Sequence, residues 1–475
     1  LKRLHFERAL LAEGWRGDVL LTLDGRTIST IVPDTPAPAD AERIGSIAIP
    51  GLPNVHSHAF QRAMGGLAER QGPTEDSFWT WREVMYRFLA QMTPDDIEAV
   101  AALAYVEMLE AGFTSVGEFH YLHNAPDGSR YDDPAETAGR IVAAAAATGI
   151  GLTLLPCFYA HGGCGGKPPT PGQARFLSDF DGFARLLEAS RAHLAVLDSA
   201  SLGIAPHSLR AVDAPELEAL CAAFPAGPIH IHAAEQEKEV EECVAWSGIR
   251  PIQWLLDNMN LDPRWCLIHC THMTADETER LARSGAVAGL CPITEANLGD
   301  GIFPATELTQ AGGRIAVGSD SNVRIAANEE LRTLEYGQRL RHRRRNCLGA
   351  HGTSTGRAIF DAVRRGGAQA LRGQPPRDSA PPLASPSEAS GPIPARSGGF
   401  AVGQTADIVV LDENDPALAG RSDDVVLDAW IFSAGKVVRH VFAAGRPVVI
   451  DDRHVHGERI RARYTATVNR LLRCL

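Results

Sequence analysis

The stretch Ile47-Ala-Ile-Pro-Gly-Leu-Pro-Asn-Val-His-Ser-His58 decides the fold. Residues 47–55 are almost wholly apolar, the pattern of a strand buried on both faces. The run ends in His56-Ser57-His58. Side chains two apart in an extended chain point the same way, so the two imidazoles share one side. Seven more short apolar runs follow, at 114–119, 151–157, 202–205, 228–232, 266–269, 286–291 and 314–318. Longer helical patterns lie between them, for instance at 94–111, 215–223 and 275–284. Eight strands alternating with helices predict an α/β fold, a (β/α)₈ TIM-like barrel over residues 51–372.

Outside that region the pattern changes. Residues 1–50 and 401–475 alternate with a strand period, as at 18–23, 406–411 and 425–449. They predict one small discontinuous β-sandwich domain built from both ends of the chain. Residues 441–449 (VFAAGRPVV) predict a hairpin turning at Gly445-Arg446. Residues 373–400 are rich in Pro, Ser and Gly and predict a flexible connection.

Composition narrows the function. At 475 residues, 44% hydrophobic and 22% charged, the chain can bury a large core without cross-links. A net charge of −12 argues against a nucleic-acid-coating surface. The basic run 339–345 (RLRHRRR) is therefore expected to be a helix end or face. Nine cysteines without a CxxC pair predict reduced thiols in a cytoplasmic protein. No signal peptide is expected from residues 1–15. The longest uncharged stretch, 141–161, is broken by Gly149, Gly151 and Pro156. It predicts a helix end followed by a buried strand, not a membrane span.

Polar residues collect at the predicted strand ends: His56 and His58, His207, His232, His269 and Asp320. A barrel gathers such residues at its C-terminal rim. Three imidazoles and a carboxylate suit Zn²⁺ or Fe²⁺. The chain has 17 histidines, and His120, His123, His161 and His272 are expected to be surface or hydrogen-bonded core residues.

The motifs GLPNVHSH (51–58), HIHAAE (230–235), LIHCTH (267–272) and GSDSN (318–322) resemble the amidohydrolase superfamily over nearly the whole chain. That resemblance implies a metal-dependent hydrolase barrel with a split β domain and one divalent metal, zinc before iron. It implies His56, His58, His232 and Asp320 as ligands, with His269 beside the activated water. The fourth strand end (GIAPHS, 203–208) has no lysine to bridge a second metal. Glu235 is implied as the group that shuttles a proton to the substrate nitrogen, and Asp320 as a second catalytic carboxylate. Residues 58–69 (HAFQRAMGGLAE), 78–82 (FWTWR), 119–122 (FHYL) and 206–210 (PHSLR) are similar to the formimidoylglutamate deiminase branch of that superfamily. The branch implies N-formimino-L-glutamate as the small-molecule substrate, a step in histidine degradation and a homodimer. Arg82 and Arg210 would grip the two carboxylates, with Gln61, Tyr121 and His207 adding contacts.

Alternatives stay open on the sequence. A superfamily deaminase or triazine-type hydrolase acting on a purine, pyrimidine or related ring would share the metal set and differ in the pocket. A non-catalytic barrel would lack a ligand or an acid. Residue Ile293, in CPITEANLGDG (291–301), stands where the family pattern leads one to expect a small polar side chain.

Overall fold

A computed structural model of the chain describes residues 1–70, 78–198, 200–372 and 398–473. The predicted connection at 373–400 therefore falls almost wholly outside the described residues. The two chain ends meet in one eight-stranded sheet. Its strands are β1 (Lys2–Leu11), β2 (Gly14–Asp24), β3 (Thr27–Val32), β4 (Glu42–Pro50), β14 (Ile408–Leu411), β15 (Val438–Ala443), β16 (Arg446–Ile450) and β17 (Arg453–His454). The sheet joins across β4 and β14, which pair antiparallel from Ile47↔Leu411 to Pro50↔Ile408. Leu4, Phe6, Val19, Leu21, Phe400, Ile408 and Phe442 pack into one apolar cluster on it.

The middle of the chain forms parallel strands. One sheet holds β5 (Leu52–Ser57), β6 (Phe113–His120), β7 (Gly151–Phe158) and β8 (Ala200–Leu202), with β9 (Ala205–Pro206) paired to β7. The other holds β10 (Ile229–Ala233), β11 (Trp265–His269), β12 (Val287–Leu290) and β13 (Arg314–Val317). Backbone hydrogen bonds join the two at both margins. Ile204 donates to Pro228 and His230 donates to Ile204, each at 3.0 Å. His58 donates to Asp320 and Asp320 donates to His56, each at 2.9 Å. Val55, Ile268, Val287, Ala316 and Leu371 form a buried cluster between β5, β11, β12, β13 and the helix Thr355–Arg372. Each such valine, isoleucine or leucine contributes about 1.5–3 kcal/mol by leaving water.

Three expectations need correction. Residues 47–55 are not one strand. The chain leaves the eight-stranded sheet at Pro50 and enters the parallel sheet at Leu52. A Cβ at Gly51 would lie 2.3 Å from Thr114, so only glycine fits this crossing. Residues 425–449 are not all strand, because Asp424–Phe432 is a helix whose Trp430 packs edge-on against Phe360. A short apolar run does not distinguish a buried helix from a buried strand. The hairpin turns one residue earlier than expected, at Ala444 and Gly445, both with positive φ. By contrast the helices Pro94–Ala111 and Ala275–Ser284 run as the sequence predicts. The basic run closes the helix Ala327–His342, where Arg339, Arg341 and His342 sit at the negative end of its dipole. Residues 141–161 hold the end of the helix Glu136–Thr148 followed by β7. No helix among the described residues is long and apolar enough to cross a membrane.

Candidate active site

The parallel strands deliver their terminal residues to one place. β5 ends into His56 and His58, β10 into His232, β11 into His269, and the turn after β13 supplies Asp320. His56 Nε2 lies 3.2 Å from His232 Nε2 and 3.3 Å from Asp320 Oδ1. His58 Nε2 lies 3.4 Å from that same oxygen. Gly318 makes the approach possible, because a Cβ there would come within 2.7 Å of the His56 backbone. Asp320, Asn322, His269, Cys270 and Ala234 all have positive φ. Such left-handed backbone at non-glycine residues is concentrated where side chains must be aimed.

The donor set fits a divalent metal. His58 Nδ1–H donates to the Phe119 carbonyl and His232 Nδ1–H to the His207 carbonyl, each at 2.9 Å. Those bonds leave the Nε2 lone pairs facing inward. Lone pairs on two imidazoles and the Asp320 carboxylate then crowd one point and repel unless a cation separates them. Burial, with His58 beside it, pushes the His56 imidazole down to about 3. Burial likewise holds His232 well below its ordinary value. The histidines are thus neutral, the form that ligates. Burial works against charge on Asp320, but the hydrogen bond from His56 and the neighbouring histidines keep its carboxyl well below the usual range.

Acid–base groups stand beside that cluster. Glu235 Oε1 is 3.8 Å from His269 Nε2, and burial pushes its carboxyl up to about 7. Burial opposes charge on His269, yet Glu235, Glu295 and Asp320 more than offset it and raise the imidazole to about 10. Two carboxylates that sequence inspection missed hold these groups. Glu239 accepts the backbone N–H groups of Ala234 and Glu235 at 3.3 and 3.1 Å, fixing the turn after β10. Glu295 accepts His269 Nδ1–H at 3.2 Å. Glu239 had a faint signal as the acid at the third position of the helix Glu237–Ser247; Glu295 had none.

All five residues expected to hold substrate meet in the same cleft. It is lined by Gln61, Arg82, Tyr121, His207 and Arg210, together with His58, His232, Glu235, His269 and Asp320. His56 lies beneath, fully buried. Gln61 donates to the Tyr121 hydroxyl at 2.8 Å. The Arg82 and Arg210 guanidinium groups stand 4.6 and 5.8 Å from the Trp79 ring. Among the described residues Arg82 makes no ion pair, and the acid nearest Arg210 is Glu235 at 3.9 Å. The Nε of each arginine is buried without a hydrogen-bond partner among the described residues. Sequence inspection missed the aromatic wall of Tyr86, Tyr159 and Phe176. Of the four histidines expected to be ordinary, three are hydrogen-bonded: His120 pairs with Thr137, His123 with the Cys157 carbonyl and His161 with Glu216, whereas the Nε2 of His272 is buried without a hydrogen-bond partner among the described residues.

Parallel strands with a metal-type cluster at their ends define the class. The chain belongs to the amidohydrolase family, whose model matches residues 47–364. It is 50% identical to the formimidoylglutamate deiminase of Pseudomonas aeruginosa, over 99% of this chain and 100% of that protein. The resemblance seen in the motifs is thereby borne out. Identity to a 5-methylthioadenosine/S-adenosylhomocysteine deaminase of Halobacterium salinarum is 29%, over 92% of this chain and 89% of that one. An amidohydrolase from Brucella melitensis superimposes with a TM-score of 0.91 at 48% identity, covering 99% of this chain and 100% of that chain. An adenosine deaminase from Xanthomonas campestris with bound zinc shares the fold, with a TM-score of 0.79 at 22% identity over 99% of this chain and 98% of that chain.

Proposed function

We propose that this protein hydrolyses the formimino group of N-formimino-L-glutamate to give N-formyl-L-glutamate and ammonia, a step of histidine degradation. The observation that carries the reading is the pair of arginines, Arg82 and Arg210, lining the same cleft as Glu235 and the histidine cluster. A dicarboxylate needs two cationic forks, and planar guanidinium groups bind carboxylates in pairs of hydrogen bonds. The 50% identity to a protein of that name supports it.

The site residues take the roles that the resemblance implies. His56, His58, His232 and Asp320 would hold one divalent ion, zinc by the family's habit. Such an ion, when bound, lowers the pKa of water toward neutrality. Arg82 and Arg210 bind and orient the substrate carboxylates. Gln61, Tyr121 and His207 position the chain that carries the formimino group. Water attacks the formimino carbon, Asp320 takes a proton from it, and Glu235 gives one to the departing nitrogen. His269 stabilises the charge that develops beside the nucleophile. The two parallel sheets are read as one closed (β/α)₈ barrel over 51–372. Residues 1–50 and 401–475 are read as a β-sandwich domain, and the working state as a cytoplasmic homodimer.

The test is formation of N-formyl-L-glutamate by metal-analysed protein, beside guanine and cytosine as ring substrates. Turnover of the formimino compound, with kcat/KM lowered in Arg82→Met and Arg210→Met, is expected. Turnover of a ring compound alone would transfer the reading to the aromatic wall of Tyr86, Tyr159 and Phe176 and overturn the dicarboxylate assignment.

A further inference from the structure

Tyr159 follows directly on β7 and lines the cleft with Arg82 and Arg210. It is 5% exposed. Its ring meets His207 edge-on with centroids 4.6 Å apart, and leans on Phe176 at 5.6 Å. Those contacts fix where the hydroxyl lies, and buried Gln173 fixes how it bonds. Gln173 Oε1 accepts the Thr170 backbone N–H at 2.7 Å and the Thr170 hydroxyl at 3.1 Å. A backbone N–H can only donate, so the Gln173 NH₂ group must face the other way. It donates to the Tyr159 hydroxyl at 2.6 Å. The phenol oxygen is the acceptor in that bond, and its own proton is left over, with no acceptor among the described residues.

Donors outnumber acceptors on this wall of the cleft. The Nε of Arg82 and the Nε of Arg210 are buried without partners among the described residues. Burial raises the Tyr159 phenol above its ordinary value, against the pull of Arg210, of the Gln173 hydrogen bond and of Arg82. The phenol therefore keeps its proton and stays a donor. Three unspent donors in one cleft, two of them on cations, call for an anion rich in lone pairs.

We propose that Tyr159 is a further substrate-binding residue, whose O–H donates to the same carboxylate that Arg210 holds. This rests on the deiminase reading above. A carboxylate offers about four lone-pair sites, and one guanidinium fork fills two of them. A hydroxyl takes a third, and its ring is already held by packing, so little ordering remains to be done on binding. Arg210 is the partner because it acts on the phenol more strongly than Arg82 does. The consequence is selectivity. An amide in place of that carboxylate loses the charge and turns N–H groups toward donors, so the site rejects it.

The experiment uses Tyr159→Phe, which keeps the ring and removes only the hydroxyl. With N-formimino-L-glutamate the variant is expected to raise KM about tenfold, the effect of one hydrogen bond to a charged group, with kcat within about twofold of wild type. An unchanged KM, or a fall in kcat in its place, overturns the assignment. Should Tyr159→Phe fail to fold, Gln173→Glu decides, because a carboxylate there takes the tyrosine proton for itself. A raised KM in that variant supports the assignment and an unchanged one overturns it. Calorimetry with glutarate, the five-carbon dicarboxylate without the formimino group, separates the two readings. Wild type that binds glutarate but never consumes N-formimino-L-glutamate overturns the deiminase reading. Tyr159 then stands if the variant binds glutarate about tenfold more weakly and falls if it binds equally well. Wild type that neither binds glutarate nor consumes the formimino compound overturns both.

Discussion

Glu235 reaches the reacting end of the cleft from a turn that other residues hold for it. Glu239 takes the N–H groups of Ala234 and Glu235, and Ala234 adopts positive φ. A group so placed is valuable for its proton, so Glu235→Gln, which keeps size and polarity, is expected to lower kcat about 10²–10⁴-fold. Steady-state kinetics check this, and near-normal kcat would remove Glu235 from the chemistry. Arg82→Met removes a fork without touching the histidines. Losing a charge-assisted hydrogen-bond pair costs about 1.5–3 kcal/mol, so kcat/KM should fall roughly 10–100-fold, chiefly through KM. Metal content should not change. The histidines, Asp320 and Glu235 were legible in the sequence because each follows an apolar run at a strand end. Glu295 was not. It acts through His269, 26 residues away, and no spacing rule connects the two.

Strands and helices were legible where their ends carry a local signal. The helix Pro94–Ala111 starts with Thr93 and Asp96 capping each other, has Pro94 in its first turn and stops at left-handed Gly112. The helix Asp424–Phe432 has no side-chain cap hydrogen bond, and its valines and aromatics suit a strand equally well. The split at Gly51 was illegible because it depends on Thr114, a neighbour brought close only by folding. The link from β6 to β7 makes a prediction of its own. His123, just beyond β6, donates Nε2–H to the Cys157 carbonyl of β7 at 2.8 Å. Burial pushes its imidazole down to about 4 from the ordinary 6.5. The unfolded chain therefore takes up the proton first as pH falls. The stability tied to neutral His123 is complete above about 6.5, declines between 6.5 and 4, and is gone below about 4. The total is ~3 kcal/mol. Urea unfolding across that pH range should show the decline, and His123→Gln should flatten this share of it. An identical slope in the variant would remove His123 as the cause.

The largest-scale consequence concerns the histidine cluster as a clasp. Its residues come from both parallel sheets: His56 and His58 from the end of β5, His232 from β10 and Asp320 from the turn after β13. Without a cation the inward Nε2 lone pair of His58 repels the Asp320 carboxylate across 3.4 Å, and it does so at a margin where the sheets share only a few backbone hydrogen bonds. A bound ion replaces that repulsion with attraction and stabilises the folded chain by mass action, about 4 kcal/mol at a free concentration 1,000 times its Kd. The apolar clusters do not depend on the ion, so the stripped protein should stay folded. Removing metal with a chelator is therefore expected to abolish turnover and lower the melting temperature while leaving the far-ultraviolet circular dichroism unchanged. Adding back one equivalent of zinc should restore both. The same treatment of His56→Ala should leave the melting temperature almost unmoved, because the clasp is already broken. Full activity in protein shown to be metal-free, or an equal loss of stability in His56→Ala, would mean that these four residues do not hold the ion.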